Sequence, residues 1–120
     1  MATGARGEAV VECGGRSYPV LFTNRALAEA EKALGKPALQ IGYDAQRGQV
    51  SVGDTAELLR IGLEYGRRDA PWSHEPVRSP LAYEIMDALG FQPAAVIVLN
   101  CLQEVLSYDP QAEGRENPPA

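Results

Sequence analysis

The sequence predicts an α+β fold: an N-terminal two-stranded β-hairpin packed on about four short α-helices, followed by a flexible C-terminal tail. Three observations predict it. Two segments rich in strand-forming residues flank Gly14-Gly15, a dipeptide typical of two-residue hairpin turns. The rest of the chain repeats apolar residues at helical spacing, between glycine and proline breaks. The 120 residues, 45% of them hydrophobic, suit one core. We therefore expect a single domain over residues 8–108, a flexible segment over residues 1–7 and a disordered tail over residues 109–120.

The predicted hairpin comprises residues 8–13 and 16–22. A two-residue turn fixes the register of the two strands, so Val11 pairs with Tyr18 and both side chains lie on one apolar face. An isolated hairpin is only marginally stable in water, so this face needs helices or a third strand to pack on. Residues 49–52 are the candidate for that strand.

The first helix is predicted over residues 24–34, with Thr23 or Asn24 as its N-cap and Gly35 as its end. The segment that follows has weaker signals. Its first part favours a short helical turn over residues 38–43, and the remainder up to residue 53 contains a turn and the candidate strand.

The second helix is predicted over residues 55–67, after a capping box in which Asp54 takes the place of the usual Ser or Thr. Glu64 and Arg68 have the (i, i+4) spacing of a favourable ion pair. Two glycines within this helix, Gly62 and Gly66, lower its intrinsic stability, so we expect them to allow another backbone to approach closely.

Two more helices are predicted, over residues 80–89 and 93–106, and Gly90 separates them. The last helix has an apolar arc that is wider than a small hairpin and three short helices require. A helix of this kind either lies at the centre of the core or shares its surface with a partner. Both alternatives remain open from the sequence.

Composition excludes several function classes. The net charge of −5 opposes nucleic-acid binding, which depends on neutralising phosphates. The strongest apolar run is far too short to span a membrane, and the N-terminus lacks the apolar core of a signal peptide, so we expect a cytoplasmic protein. The two cysteines, Cys13 and Cys101, form no metal or redox motif, and whether they pair is open. His74 is the only histidine and lies in a loop, so we expect no catalytic residue, cofactor or metal site.

The order of elements and several short motifs resemble the tail assembly chaperones of tailed phages and gene transfer agents. The resemblance covers roughly residues 12–106. Its segments are Gly14-Gly15-Arg16-Ser17-Tyr18, Leu21-Phe22-Thr23, Leu34-Gly35-Lys36-Pro37, Leu58-Leu59-Arg60-Ile61-Gly62-Leu63 and Ala88-Leu89-Gly90.

The resemblance implies a non-enzymatic protein of the bacterial host cytoplasm. Such a chaperone binds the long helical tape measure protein, keeps it soluble, assists assembly of the tail tube protein around it and is generally absent from the finished particle. The alternatives are a structural virion component, such as a tail terminator or connector subunit, and a small cytosolic adaptor. Self-association through the hairpin edge is a further possibility.

A partner that is an apolar helix requires an apolar surface on this chain. The broad apolar arcs of the second and fourth predicted helices, together with the single tryptophan as an interface anchor, predict where it lies. The predicted partner-binding residues are Leu58, Leu63, Trp72, Val98, Leu102 and Leu106.

Overall fold

The computed structural model describes residues 4–111, which form the predicted α+β fold. The hairpin is present, and the described chain has five helices where about four were expected. The elements are β1 (Gly7–Cys13), β2 (Arg16–Phe22), α1 (Asn24–Leu34), α2 (Ala38–Gln46), α3 (Val52–Asp69), α4 (Ser79–Leu89) and α5 (Phe91–Leu106).

The hairpin has the predicted register, with Val11 opposite Tyr18. Gly14 and Gly15 both have positive φ, at 60° and 76°, as a type I′ turn requires. Pro19, which has no N–H to donate, lies opposite Val10 in a pair that exchanges no backbone hydrogen bonds. The predicted apolar face is buried against the helices. Its buried members are Val11, Tyr18, Val20 and Phe22.

Helix α3 packs along β2 at very short range, and two glycines make this possible. A Cβ at Gly66 would overlap the carbonyl group of Pro19, and a Cβ at Gly62 would lie 2.7 Å from side-chain carbons of Val20 and Phe22. The expectation that these glycines admit a neighbouring backbone is therefore confirmed at Gly66, where the neighbour is the main chain of β2. At Gly62 the neighbours are the side chains of β2.

The core lies between the hairpin, α1, α3, α4 and one face of α5. Helix α5 runs beneath β1 so closely that a Cβ at Gly7 would overlap the backbone of Cys101. The most deeply buried large side chains include Phe22, Leu58, Leu59, Ile61, Leu63, Ile85 and Leu102.

Several predicted boundaries differ from the structure. The third strand predicted over residues 49–52 is wrong, because Ser51 caps α3 and Val52 already belongs to that helix. The Ser51 hydroxyl accepts a hydrogen bond from the backbone N–H of Asp54, so Ser51 is the N-cap instead of Asp54. The segment expected to form a short helical turn is the nine-residue helix α2. The first helix matches its prediction, with Thr23 as the N-cap.

The N-terminal boundary of the domain also differs from the predicted one at residue 8. Gly7 belongs to β1, and the Arg6 guanidinium donates hydrogen bonds to Glu8 and Asp69, so part of the segment predicted to be flexible packs on the domain. Residues 1–3 and 112–120, which carry the rest of that segment and most of the predicted tail, lie outside the described residues.

The question of cysteine pairing is answered by the structure, in which both thiols are free. Cys101 lies beneath Gly7, at the start of β1, and Cys13 is the last residue of the same strand. Six residues of extended chain separate the two ends by about 20 Å. A disulfide requires Cα atoms within about 7 Å, so this fold does not allow the bridge.

Candidate functional site

Four of the six predicted partner-binding residues belong to the core. Leu58 and Leu63 of α3, and Val98 and Leu102 of α5, are all buried. None of these four side chains is exposed in this structure, and their role in binding a partner stays a prediction. The physical reason for their burial is that α3 and α5 are packed by neighbours on several sides, so the middle of each apolar arc has no access to solvent.

Trp72 and Leu106 are partly buried at the edge of the core. The Trp72 ring meets Tyr18 edge to face, with 5.0 Å between ring centroids, and the Arg16 guanidinium lies 5.8 Å from its ring. Trp72 therefore packs against the hairpin near its turn, at the edge of the core. This contact explains the tryptophan structurally, and its role as an interface anchor stays a prediction.

A large apolar concavity lies on the solvent side of α5. Its floor is the first half of that helix, residues 91–99, apart from the buried Ala94 and Val98. Its wall is formed by Ala45, Gly48 and Val50, at the end of α2 and in the connection to α3. We call this concavity, of about 720 Å³, the α5 groove.

The α5 groove exists because α5 is apolar nearly all round in its first half and amphipathic in its second. The core takes one face, but Phe91 stays 37% exposed and Val96 stays 51% exposed. One helical turn after Val96, the solvent face carries the polar residue Asn100. The two alternatives left open for this helix therefore apply to different faces: one is central to the core, and the other lacks a partner within the described chain.

Sequence reasoning missed the groove residues although a signal was present. Nine consecutive residues, 91–99, contain Gln92 as their one polar side chain. Periodicity identified the buried stripe of this segment correctly. It gave no reason to single out Val96, which lies opposite that stripe and which a soluble helix would normally make polar.

A smaller, mostly apolar groove, of about 260 Å³, lies between α2 and the end of α5. Leu39 is 73% exposed and Tyr43 is 53% exposed on its α2 side, and Leu106 lines its α5 side. Leu106 is thus the one residue among the six predicted that lines an open apolar groove, and its role in binding stays a prediction.

No charged side chain lines the α5 groove in the described part of the chain. A buried charged cluster lies elsewhere, at Glu64 near the end of α3. Its carboxylate accepts hydrogen bonds from Arg67, from Arg68 at 2.7 Å and from the backbone N–H of Val77 at 2.9 Å. The bond from Arg67 is the main cause that lowers the pKa of Glu64 from 4.5 to about 2, against the opposing effect of burial.

This network confirms the predicted pairing of Glu64 with Arg68 and shows what it does. The basic pair at the end of α3 bonds to a buried carboxylate, which also anchors the loop that leads into α4. Arg67 holds the same loop a second time by donating to the carbonyl of Ser73. The cluster is therefore a structural clamp.

The remaining titratable groups form no metal-binding cluster among residues 4–111. His74 is exposed in the clamped loop. Burial, together with the charges of Glu104 and Glu8, raises the pKa of the Cys101 thiol to about 12. The two large pKa shifts among the described residues, at Glu64 and Cys101, thus both result from burial and from contacts within the fold.

No single described helix has the length and hydropathy needed to cross a bilayer; α4 and α5 reach them only as a pair, and that pair is bent by 115°. Comparisons with protein-family models, with curated proteins and with solved structures find no match to this chain.

Proposed function

We propose that this protein is a non-enzymatic tail assembly chaperone of the phage or gene-transfer-agent type, which binds an apolar helix of the tape measure protein in the bacterial cytoplasm. The observation that carries the proposal is the α5 groove, an uncharged apolar concavity on a small acidic domain. The sequence resemblance supplies the identity of the partner. The tail tube protein is the second partner that this resemblance implies.

The dimensions of the α5 groove suit a helical ligand. Its floor of nine helical residues is about 13 Å long, which matches two to three turns of a partner helix. Grooves that receive an amphipathic helix are lined by apolar side chains that contact positions i, i+3, i+4 and i+7 of the ligand. Phe91 and Val96 are placed to make such contacts because both are large, apolar and exposed.

The overall charge suits a carrier of apolar segments. A net charge of −5 keeps the complex soluble while the groove itself remains neutral. The smaller groove, with Leu39 and Tyr43 on its α2 side, offers a second exposed apolar surface.

Co-expression with a tape measure fragment tests the proposal. We expect an apolar helical fragment that is insoluble alone to become soluble with the wild-type chain, and to return to the insoluble fraction with Val96→Glu. The matched control is Val10→Glu, which places the same charge at a residue 60% exposed on the hairpin and should leave the fragment soluble.

Equal solubility of the fragment with and without the wild-type chain would remove the basis of the proposal. Purified particles provide a separate test. Stoichiometric presence of this chain in finished particles would favour the structural virion component instead of the chaperone.

A further inference from the structure

We propose that the outer edge of β1 accepts an extended segment of a partner protein as a third, antiparallel strand, and that this segment carries basic, apolar and basic side chains at alternate positions. In the described part of the chain the hairpin is a sheet of two strands, so each strand has one edge without a strand neighbour. The site is separate from the α5 groove, so this proposal goes beyond the proposed function and does not depend on it.

The outer edge of β2 is closed to a further strand. Pro19 occupies a position whose backbone points away from β1, and proline has no N–H to offer there. The carbonyl oxygen of Pro19 lies against Gly66 of α3, so closely that a Cβ at Gly66 would overlap it. A strand could pair with β2 only if α3 left the hairpin.

The outer edge of β1 is open over its middle. Hydrogen bonds alternate along an antiparallel pair, so the backbone N–H and C=O groups of Glu8, Val10 and Glu12 point away from β2. The N–H of Glu8 donates to the carboxylate of Glu104 on α5, at 3.1 Å, which closes that end. Among the described residues, the backbone groups of Val10 and Glu12 have no such partner, and both residues are exposed. Unpaired groups along a strand edge are a template for another strand.

The side chains of this edge select the chemistry of the partner. Glu8, Val10 and Glu12 alternate along β1 and therefore share the outer face of the hairpin. In an added strand, the residues two positions before and after the one opposite Val10 lie opposite the two glutamates. Opposite charges across a strand pair stabilise it and like charges destabilise it. The complementary pattern is basic, apolar and basic at alternate positions, and it reads the same in both directions.

The charge of this edge is not balanced from within the described chain. Glu8, Glu12 and Glu104 contribute three carboxylates along it. The nearby guanidinium of Arg6 binds Glu8 at 2.6 Å but is shared with Asp69. Pairing of this edge with that of a second copy would place Glu8 opposite Glu12, so the same charges that favour a basic segment oppose self-association.

The remaining positions of the partner strand, between the basic and apolar ones, face the opposite side of the sheet. The β1 residue on that side, Val11, is buried, and α4 and α5 pack against β1 there. These positions therefore require small side chains. The open edge from Ala9 to Cys13 is about 17 Å long, which suits a segment of about five residues. So short a contact predicts weak binding.

Titration of the full chain against a fluorescent peptide, Thr-Lys-Ser-Val-Ser-Lys-Thr, tests the proposal by anisotropy. We expect a dissociation constant of about 100 μM or tighter at low salt, and no binding of the same peptide with Glu in place of both Lys residues. Glu12→Lys should weaken binding of the lysine peptide about tenfold or more. The matched control is Glu84→Lys, the same charge change at an exposed residue of α4, which should bind like the wild type.

Methylation of single peptide nitrogens distinguishes strand addition from simple charge attraction. The N–H of the central valine would donate to the C=O of Val10, so an N-methyl group there removes a hydrogen bond and meets the main chain of β1. We expect this change to weaken binding about tenfold or more. The N–H groups of the two serines point away from β1, so N-methylation of either serine should have little effect.

Any of four results would overturn the proposal: no binding of the lysine peptide up to about 1 mM, equal binding of the glutamate peptide, unchanged binding by a folded Glu12→Lys variant, or equal effects of methylation at valine and serine. Thermal melts confirm that each variant is folded. Val96→Glu should bind the peptide like the wild type. Because the tape measure fragment is tested on the α5 groove, failure of either experiment leaves the other result intact.

Discussion

At the scale of single residues, Glu64 shows how a buried charge is made compatible with a small core. The side chain is almost fully buried, yet both of its carboxylate oxygens accept hydrogen bonds from Arg67 or Arg68 and the backbone of Val77. Burial of the carboxylate is costly, and these bonds offset the cost. The result ties the end of α3 to the loop that carries Trp72.

The lowered pKa of Glu64 predicts a specific acid sensitivity. Because the folded-state pKa is about 2 and the ordinary value is 4.5, the charged form stabilises the fold above pH 4.5. This stabilisation is lost as the pH falls from 4.5 toward 2. We expect Glu64→Gln to lower the free energy of unfolding by about 2 kcal/mol at neutral pH. This value is smaller than the pKa shift alone would give, because solvent screens the exposed Arg68. Urea unfolding at a series of pH values measures both effects.

The matched control for this prediction is Glu57→Gln. Glu57 forms an ion pair with Arg60 at the same (i, i+3) spacing, but it lies at the surface and makes no bond to a loop. We expect this variant to lower the free energy of unfolding by less than about 1 kcal/mol. A flat stability profile between pH 2 and pH 4.5 in the wild type would contradict the assignment of the clamp to Glu64.

The two thiols predict a simple difference in reactivity. Cys101 is buried beneath β1 and its pKa is raised to about 12, so it is protonated and inaccessible near pH 8. Cys13 is only partly buried. We expect a thiol-specific reagent to modify one cysteine in the native protein and the second only after unfolding. Cys13→Ser should remove the native reaction, and rapid labelling of that variant would contradict the packing of α5 beneath Gly7.

At the scale of elements, the short distance between α3 and β2 is the decisive contact of the fold. Glycine-to-alanine changes within helices ordinarily stabilise by up to about 1 kcal/mol. At Gly66 the added methyl group meets the main chain of Pro19, which has no rotamer to change. We expect Gly66→Ala to destabilise by about 2 kcal/mol or more. Gly53→Ala in the same helix has open space around it and should be neutral or stabilising.

Chemical denaturation of the two alanine variants tests this packing. Equal stability of Gly66→Ala and Gly53→Ala would mean that α3 does not lie against the backbone of β2. The comparison uses the same substitution in the same helix, so differences in helix propensity affect both variants similarly and the contact with Pro19 remains as the cause.

Local signals predicted most elements of the fold, and the third strand failed where the deciding signal was also local. The Gly14-Gly15 turn fixed the hairpin register, and Thr23 fixed the start of α1, because both signals act within a few residues. The strand predicted at residues 49–52 is absent because Val52 already belongs to α3, which begins directly after its N-cap, Ser51. The hydroxyl of Ser51 accepts a hydrogen bond from the N–H of Asp54, only three residues along the chain, so the signal for the helix start was also local.

At the scale of the whole molecule, the division between core and surface could not be predicted from one sequence. Periodicity shows that Leu102 and Val96 lie on different faces of α5, but it does not show which face the other elements cover. That depends on α3, α4 and the hairpin arriving together on one side of the helix. The binding surface was therefore expected at the middle of the apolar arc, and the structure places the open apolar surface on the opposite side.

This division predicts that stability and ligand binding can be separated by two substitutions in one helix. Leu102→Ala removes a fully buried side chain and should lower the free energy of unfolding by about 2–5 kcal/mol. Binding should be lost only to the extent that the protein unfolds. Val96→Glu alters an exposed side chain, so its melting temperature should stay close to that of the wild type. Its affinity for an apolar helical peptide should fall about tenfold or more, because a charge then enters an uncharged groove.

Thermal melts and peptide titrations below the melting transition measure the two quantities independently. A Val96→Glu variant that binds the peptide like the wild type would exclude the α5 groove as the site. A folded Leu102→Ala variant with weakened binding would instead restore the buried arc as part of the surface, which would require α5 to leave the core when the ligand binds. The pair of variants therefore distinguishes a preformed groove from a site that opens only with its ligand.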